Sequence, residues 1–155
     1  MLISKANTLA PCTNPPIITS RVTLNPGASV SAVASISGTQ PTLLQFIDNL
    51  APVPPGNARF IFAQAADAPA LQATLTQLFV KNPKTFTVTA DPGKQQKIGV
   101  SAGTYLVQVM AVGSTTVLAS EQIVMADQSA VFTYAAGETS NNSIALVNKT
   151  VRGVF

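Results

Sequence analysis

The stretch SAGTYLVQVMAVGSTTVLASEQIVMADQSAVFTYAAG, residues 101–137, alternates between two kinds of side chain with a period of two. Tyr105 and Val107 share one face of an extended chain, and Leu106 lies on the opposite face. The pattern stops at residues 113–115 (GST), which form a turn sequence, and then resumes. Alternation on both sides of a turn predicts two antiparallel strands with one face directed to a core.

Strand-like segments recur about every ten residues from residue 57 to the end of the sequence, and this even spacing is typical of an antiparallel sandwich. The sequence therefore predicts an all-β protein with the architecture of an antiparallel β-sandwich, immunoglobulin-like or jelly-roll-like. Within this run, residues 84–100 (KTFTVTADPGKQQKIGV) predict a hairpin that turns at Asp-Pro-Gly.

The N-terminal part of the chain is predicted to be organised differently from the rest. Residues 1–20 contain three prolines, which favour open backbone, and are expected to form an extended arm. A single β-sandwich domain is expected over residues 21–155. It divides into an N-terminal hairpin region, residues 21–56, and the main run of strands, residues 57–155.

Secondary structure can be predicted for two parts of the N-terminal region. PIITSRVTL, residues 16–24, and ASVSAVASI, residues 28–36, flank an Asn-Pro-Gly turn and together predict a hairpin. LLQFIDNL, residues 43–50, has apolar side chains at helical spacing, so it is either a short helix or an irregular strand.

The composition is unusual because charge is scarce. The chain has 155 residues, of which 46% are hydrophobic and only 10% are charged, whereas about 25% is usual for charged residues. A surface with so few charges does little to oppose close approach between copies. The composition therefore favours a protein that covers much of its outside with neighbouring subunits.

Charge and hydropathy also exclude several partners. The net charge is +3, but the cations form no run of five or more, so nucleic-acid binding is not expected. No apolar stretch is long enough for a membrane helix, and the first residues lack the apolar region of a signal peptide. We expect no membrane insertion, and either a mature form or export without a standard leader.

Residues that could carry out catalysis are few. The chain has no His and one cysteine, Cys12, which leaves no base to activate a thiol. The six acids form no calcium-loop pattern, and most are expected to stabilise turns. We therefore expect no enzyme activity, catalytic residue, metal, cofactor or small-molecule substrate. Cys12 lies in the Pro-rich arm and is either a free thiol or part of a disulfide between subunits.

Two motifs resemble the bacterial domain-of-unknown-function 4397 family. The family's first motif ends in Asp-Ala-Pro-Ala, which residues 67–70 match, although Ala63 and Ala66 stand where the family has His and Pro. Its second motif is an Ala-Gly-Thr-Tyr strand followed by a Gly-Ser-Thr-Thr turn, which residues 102–105 and 113–116 match.

The resemblance covers about residues 57–137. It implies an immunoglobulin-like sandwich used outside the cytoplasm, on cell or spore surfaces, and it implies no established enzyme activity.

The leading hypothesis is a structural subunit that polymerises with copies of itself into an extracellular filament, pilus-like fibre or spore-surface appendage. Apolar side chains of the arm would add to an open sheet edge of a neighbour, as a donor strand does. The residues expected to make this contact are Ile17, Ile18, Val22 and Leu24. The alternative is that the same segment is an ordinary first strand of its own sandwich.

Two further hypotheses remain open at the level of the sequence. A virion structural protein, such as a capsid decoration or tail component, would have the same charge-poor sandwich. A module that binds glycans or another surface ligand would need exposed aromatic side chains. Trp is absent, however, and Tyr105 and Tyr134 fall within strand patterns, which favours a core or interface position.

Overall fold

The computed structural model describes residues 2–4, 16–26, 28–37 and 40–153 of the chain. Within these residues the protein is all-β and contains no helix. The twelve strands are β1 (Leu2–Ser4), β2 (Pro16–Thr19), β3 (Val30–Ser37), β4 (Gln40–Ile47), β5 (Asn57–Gln64), β6 (Leu71–Gln77), β7 (Thr85–Ala90), β8 (Gln95–Ser101), β9 (Gly103–Ala111), β10 (Ala119–Met125), β11 (Ser129–Ala136) and β12 (Ala145–Val151).

The strands form two four-stranded sheets and two small antiparallel pairs. The front sheet has the order β10-β9-β6-β7, and the central sheet has the order β12-β11-β5-β8. The cover hairpin consists of β3 and β4, and the N-terminal pair consists of β1 and β2. All pairings are antiparallel except the one between β5 and β11, which is parallel. The predicted all-β sandwich is therefore confirmed, with one mixed sheet.

Two apolar cores separate three layers. The first core lies between the front and central sheets and includes Phe60, Leu75 and Val107. The second core lies between the central sheet and the cover hairpin and includes Phe46 and Phe132. The central sheet is thus covered on both faces, while the front sheet is covered on one.

The two middle strands of the central sheet have the sequences that this position requires. A strand buried on both faces is apolar at nearly every residue, whereas a half-exposed strand alternates. In β5, Phe60 and Phe62 face the first core, and Ile61 faces the second. In β11, Val131 faces the first core and Phe132 faces the second. The runs ARFIFA and AVFTYA therefore determine that a third layer must exist.

The prediction that residues 16–24 and 28–36 form a hairpin is wrong. β2 pairs with β1 rather than with β3, and β3 pairs with β4 along its full length. Only two residues separate β3 from β4 in the sequence, so their ends are close at little cost in chain entropy. Residues 43–50, which were compatible with helix or strand, lie mostly in β4, where Phe46 is buried and its neighbour Ile47 is exposed.

The prediction of a hairpin over residues 84–100 is also wrong. β7 is the edge of the front sheet, and β8 is the edge of the central sheet. The Asp-Pro-Gly sequence does turn the chain, since Lys94 donates its N–H to the carbonyl of Asp91 over 2.9 Å. The turn carries the chain from the front sheet to the central sheet, and the two sheets pack face to face through residues such as Phe60 and Leu75.

Replacing Phe46 tests the third layer. Phe46→Ala removes a ring that is 2% exposed and lies 5.9 Å from the Tyr134 ring, so we expect a loss of about 3–5 kcal/mol in the free energy of unfolding. Val124→Ala, at an exposed position of the front sheet, is the control and should change it by less than about 0.5 kcal/mol. Urea denaturation measures both values, and equal effects would contradict the packing of the cover hairpin.

Candidate assembly edge

The two packed sheets end in four outer strands, β7, β8, β10 and β12. Natural edge strands carry charged side chains that discourage pairing with another chain. Lys97 lies in β8, Glu121 in β10 and Lys149 in β12, whereas β7 (TFTVTA) contains no charged residue. Of these four outer strands, β7 alone is therefore unprotected by charge.

One side of the sandwich is closed by polar contacts between the sheets. On β11, the Thr133 hydroxyl donates to the side-chain oxygen of Asn148 on β12, at 2.6 Å. The amide nitrogen of Asn148 then donates to Glu121 on β10, at 2.7 Å. This chain of hydrogen bonds ties the β10 and β12 edges together, and β7 and β8 lie on the other side of the sandwich.

The backbone of β7 has a row of groups that face away from the sheet. Gln77 donates its N–H to the carbonyl of Lys84 over 2.9 Å, which fixes the hydrogen-bonding phase of the β6–β7 ladder. Because such pairs alternate along an antiparallel ladder, the backbone groups of Thr85, Thr87 and Thr89 point to the open edge. Within the described parts of the chain, these three residues have no backbone partner on that edge.

The loop that leads into β7 contains an aromatic residue with an exposed side chain and a strained backbone. Phe79 is 85% exposed, and its φ of 60° places it in the left-handed region, which is a rare conformation for a bulky residue. Its neighbour Val80 is also exposed. Burial of these side chains against another molecule would remove apolar surface from water. The loop therefore enlarges the surface around β7 that is suited to a contact with another molecule.

The outer face of the front sheet also lacks charge. Its side chains alternate with buried ones such as Leu75 and Val107, and none of them is ionisable. The face consists of Gln72, Thr74, Thr76, Thr85, Thr87, Thr89, Thr104, Leu106, Gln108, Met110, Ser120, Gln122 and Val124. Nothing on this face would repel a second sheet that continued it past β7.

The residues predicted to form a donor strand have different environments. Ile17 and Ile18 belong to β2, where Ile18 is 9% exposed within its own chain and the side chain of Ile17 lies outside the described residues. Val22 and Leu24 follow β2 and belong to no strand, and Leu24 is 60% exposed. Cys12 lies outside the described residues.

A buried ionic cluster, which no sequence pattern predicted, attaches the cover hairpin. Asp48, directly after β4, has a side chain with no exposed surface, and its Oδ2 lies 2.6 Å from Nζ of Lys149 on β12. The hydroxyls of Ser29 and Ser31 donate to the two oxygens of Asp48 over 2.7 and 2.8 Å. Lys149 also lies 5.3 Å above the Phe132 ring. These contacts join the cover hairpin to the central sheet.

Burial and hydrogen bonding act in opposite directions on the carboxyl of Asp48. Burial raises its pKa, but the hydrogen bonds from Lys149, Ser29 and Ser31, together with the charge of Lys149, outweigh burial and leave the pKa below its usual 3.8. Nearby, burial raises the pKa of the Tyr134 phenol. Asp48 is therefore held as an anion that needs its partners.

The remaining predicted polar residues serve structural roles where they are described. Asp127 lies in a turn and accepts the Gly56 N–H over 2.6 Å, and Asp91 belongs to the turn between β7 and β8. Tyr105 and Tyr134 are buried in the first and second cores, as their strand patterns predicted. In the described ranges, no group of three or more potential metal ligands comes together.

Comparisons with known proteins add no relative. No family model matches the chain, and no curated protein matches it. The resemblance of residues 57–137 to the domain-of-unknown-function 4397 family stays a prediction. The described part of the chain also contains no helix with the length and hydropathy needed to cross a membrane. The class that the fold defines is an all-β sandwich with an uncharged edge.

The Asp48 cluster predicts a specific acid dependence of stability. Because the folded pKa is lowered, the contribution of Asp48 is fully present above about pH 4 and is lost as the pH falls through the folded pKa. Asp48→Asn should therefore reduce stability by about 1–3 kcal/mol at pH 7, and the difference from the parent should narrow below pH 4.

Urea denaturation at a series of pH values measures this difference. Asp91→Asn, which removes a carboxylate from an exposed turn, is the matched control and should change the free energy of unfolding at pH 7 by less than about 0.5 kcal/mol. A stability difference between Asp48→Asn and the parent that stays constant from pH 7 to pH 3 would contradict the role assigned to the cluster.

Proposed function

We propose that this chain is a structural subunit that assembles with copies of itself into an extracellular filament or coat, such as a pilus-like fibre or a spore-surface appendage. The observation that carries the proposal is the β7 edge, which has unpaired backbone groups and no charged side chain. Strand addition at such an edge gives affinity through main-chain hydrogen bonds.

The surface next to β7 supports the same function. Large apolar side chains that a monomer would expose to water occur close to the edge, at Phe79 and Val80. The outer face of the front sheet carries no charge that would keep copies apart, and the whole chain carries few. A protein with these features gains from being covered by its neighbours.

A filament requires a contact that does not close on itself, since closed contacts end at small oligomers. We assign this second contact to the N-terminal segment, with Ile17, Ile18, Val22 and Leu24 as its apolar side chains. Leu24 supports the assignment because it is exposed and belongs to no strand. The segment would add to a neighbouring subunit, and Cys12 would be placed where it could form a disulfide between subunits.

Replacing Thr87 tests the role of the β7 edge. Thr87→Pro removes one N–H that faces the open edge and leaves the β6–β7 hydrogen bonds in place, so assembly through β7 should fail while the monomer still folds, and any remaining particles should be thinner than those of the parent. Thr87→Val is the matched control, because it keeps the N–H and the branched shape, and it should assemble as the parent does.

Sedimentation velocity and negative-stain microscopy measure the assembly of both variants, and circular dichroism checks that they fold. Thr87→Pro particles that resemble those of the parent would show that β7 is not the contact. A parent protein that stays monomeric at every concentration would overturn the proposed function itself.

Shortening the N-terminus tests the second contact. Deletion of residues 1–20 should stop growth at small oligomers, because the heterologous contact is lost while β7 remains. Since Ile18 is buried and its loss could affect folding, Leu24→Asp provides a second variant at an exposed position. Filaments of unchanged length from both variants would rule out the N-terminal segment as the second contact.

A further inference from the structure

The open edge of β7 is complementary to a second copy of itself. Thr85, Thr87 and Thr89 each present one N–H and one C=O to that edge. An antiparallel register centred on Thr87 places Thr87 opposite Thr87 of the second copy and Thr85 opposite Thr89 of it. Each of the resulting pairs exchanges two N–H···O bonds, so every outward backbone group of these residues finds a partner.

The side chains of β7 also match in this register. Residues that face each other across an antiparallel pair lie on the same face of the sheet, so threonine meets threonine on the outer face. On the inner face, Phe86 meets Val88 of the second copy. Thr–Thr pairs and aromatic–β-branched pairs are among those that stabilise neighbouring strands.

The charges at the two ends of β7 favour an antiparallel pair. Lys84 directly precedes β7, and Asp91 directly follows it. In an antiparallel pair, the Lys84 end of one strand lies beside the Asp91 end of the other. In a parallel pair, by contrast, like charges would meet at both ends, which is unfavourable.

We propose that two copies of this chain join their front sheets through antiparallel pairing of β7 with β7, about a two-fold axis at Thr87. The pair would be one continuous eight-stranded sheet with an uncharged outer face. This inference rests on the proposed function and names the contact. Such an isologous contact closes at two copies, so filament growth would need the separate N-terminal contact.

A charge-exchange experiment at Thr87 tests the proposal. Because the two-fold axis places residue 87 opposite itself, Thr87→Lys and Thr87→Glu should each weaken the pair through like-charge repulsion, by about tenfold or more in the dissociation constant at low salt. An equimolar mixture of the two variants should restore the pair as a mixed dimer, because lysine then faces glutamate.

Two controls accompany the experiment, in the full-length chain carrying Leu24→Asp, an exposed change that removes the N-terminal contact so that only small oligomers form. Ser120→Lys adds the same charge to the same face of the front sheet on the far strand, β10, and should pair as the background protein does. Thr85→Lys should be rescued by Thr89→Glu and not by Thr85→Glu, which reports the register.

Native mass spectrometry and sedimentation equilibrium distinguish the outcomes. A Thr87→Lys variant that pairs as well as the background, or a Lys–Glu mixture that stays monomeric, would overturn the β7–β7 contact, even if the full-length chain forms filaments. Pairing of β7 with the N-terminal segment instead would abolish the dimer in the Leu24→Asp background, and that result would also overturn the β7–β7 contact. A full-length chain that never associates would overturn the proposed function as well.

Discussion

Burial of the central sheet on both faces is the constraint on which the rest of this structure depends. The parallel neighbours β5 and β11 carry almost uninterrupted apolar sequences, and one uncovered face would expose a row of large side chains to water. The front sheet covers one face and the cover hairpin covers the other, through Phe46 against Tyr134. The order of the layers follows from these two strands.

Side-chain contacts between the layers attach the cover hairpin and join the β10 and β12 edges, but they leave the β7 edge unpaired. The pair formed by Asp48 and Lys149 attaches the cover hairpin, and the hydrogen bonds from Thr133 through Asn148 close the side formed by β10 and β12. These contacts use several of the few ionisable side chains that the chain has. The β7 edge receives none of them, and the outward backbone groups of Thr85, Thr87 and Thr89 have no backbone partner within the described part of the chain.

Local sequence patterns predicted the strands far better than their partners. Alternation placed β9 and β10 correctly, because both strands lie next to one another and have one buried face. The Asp-Pro-Gly turn suggested a β7–β8 hairpin, yet the two strands belong to different sheets, a choice made by side chains distant in the sequence. Asp48 and Lys149 are 101 residues apart, so no local pattern marks their contact. The absence of charge in β7 was visible in the sequence, but its position at an edge was not.

The outward backbone groups of β7 are open in the single chain, and we propose that they are paired in the assembly. Residue-resolved hydrogen exchange of the unmodified protein, followed by nuclear magnetic resonance over a series of concentrations, tests it directly. We expect the amide of Thr87 to exchange rapidly in dilute solution and slowly once copies associate, while the amide of Val88, which bonds to β6, is protected throughout. Exchange at Thr87 that is the same at every concentration, in a sample shown to associate, would show that copies do not pair through β7.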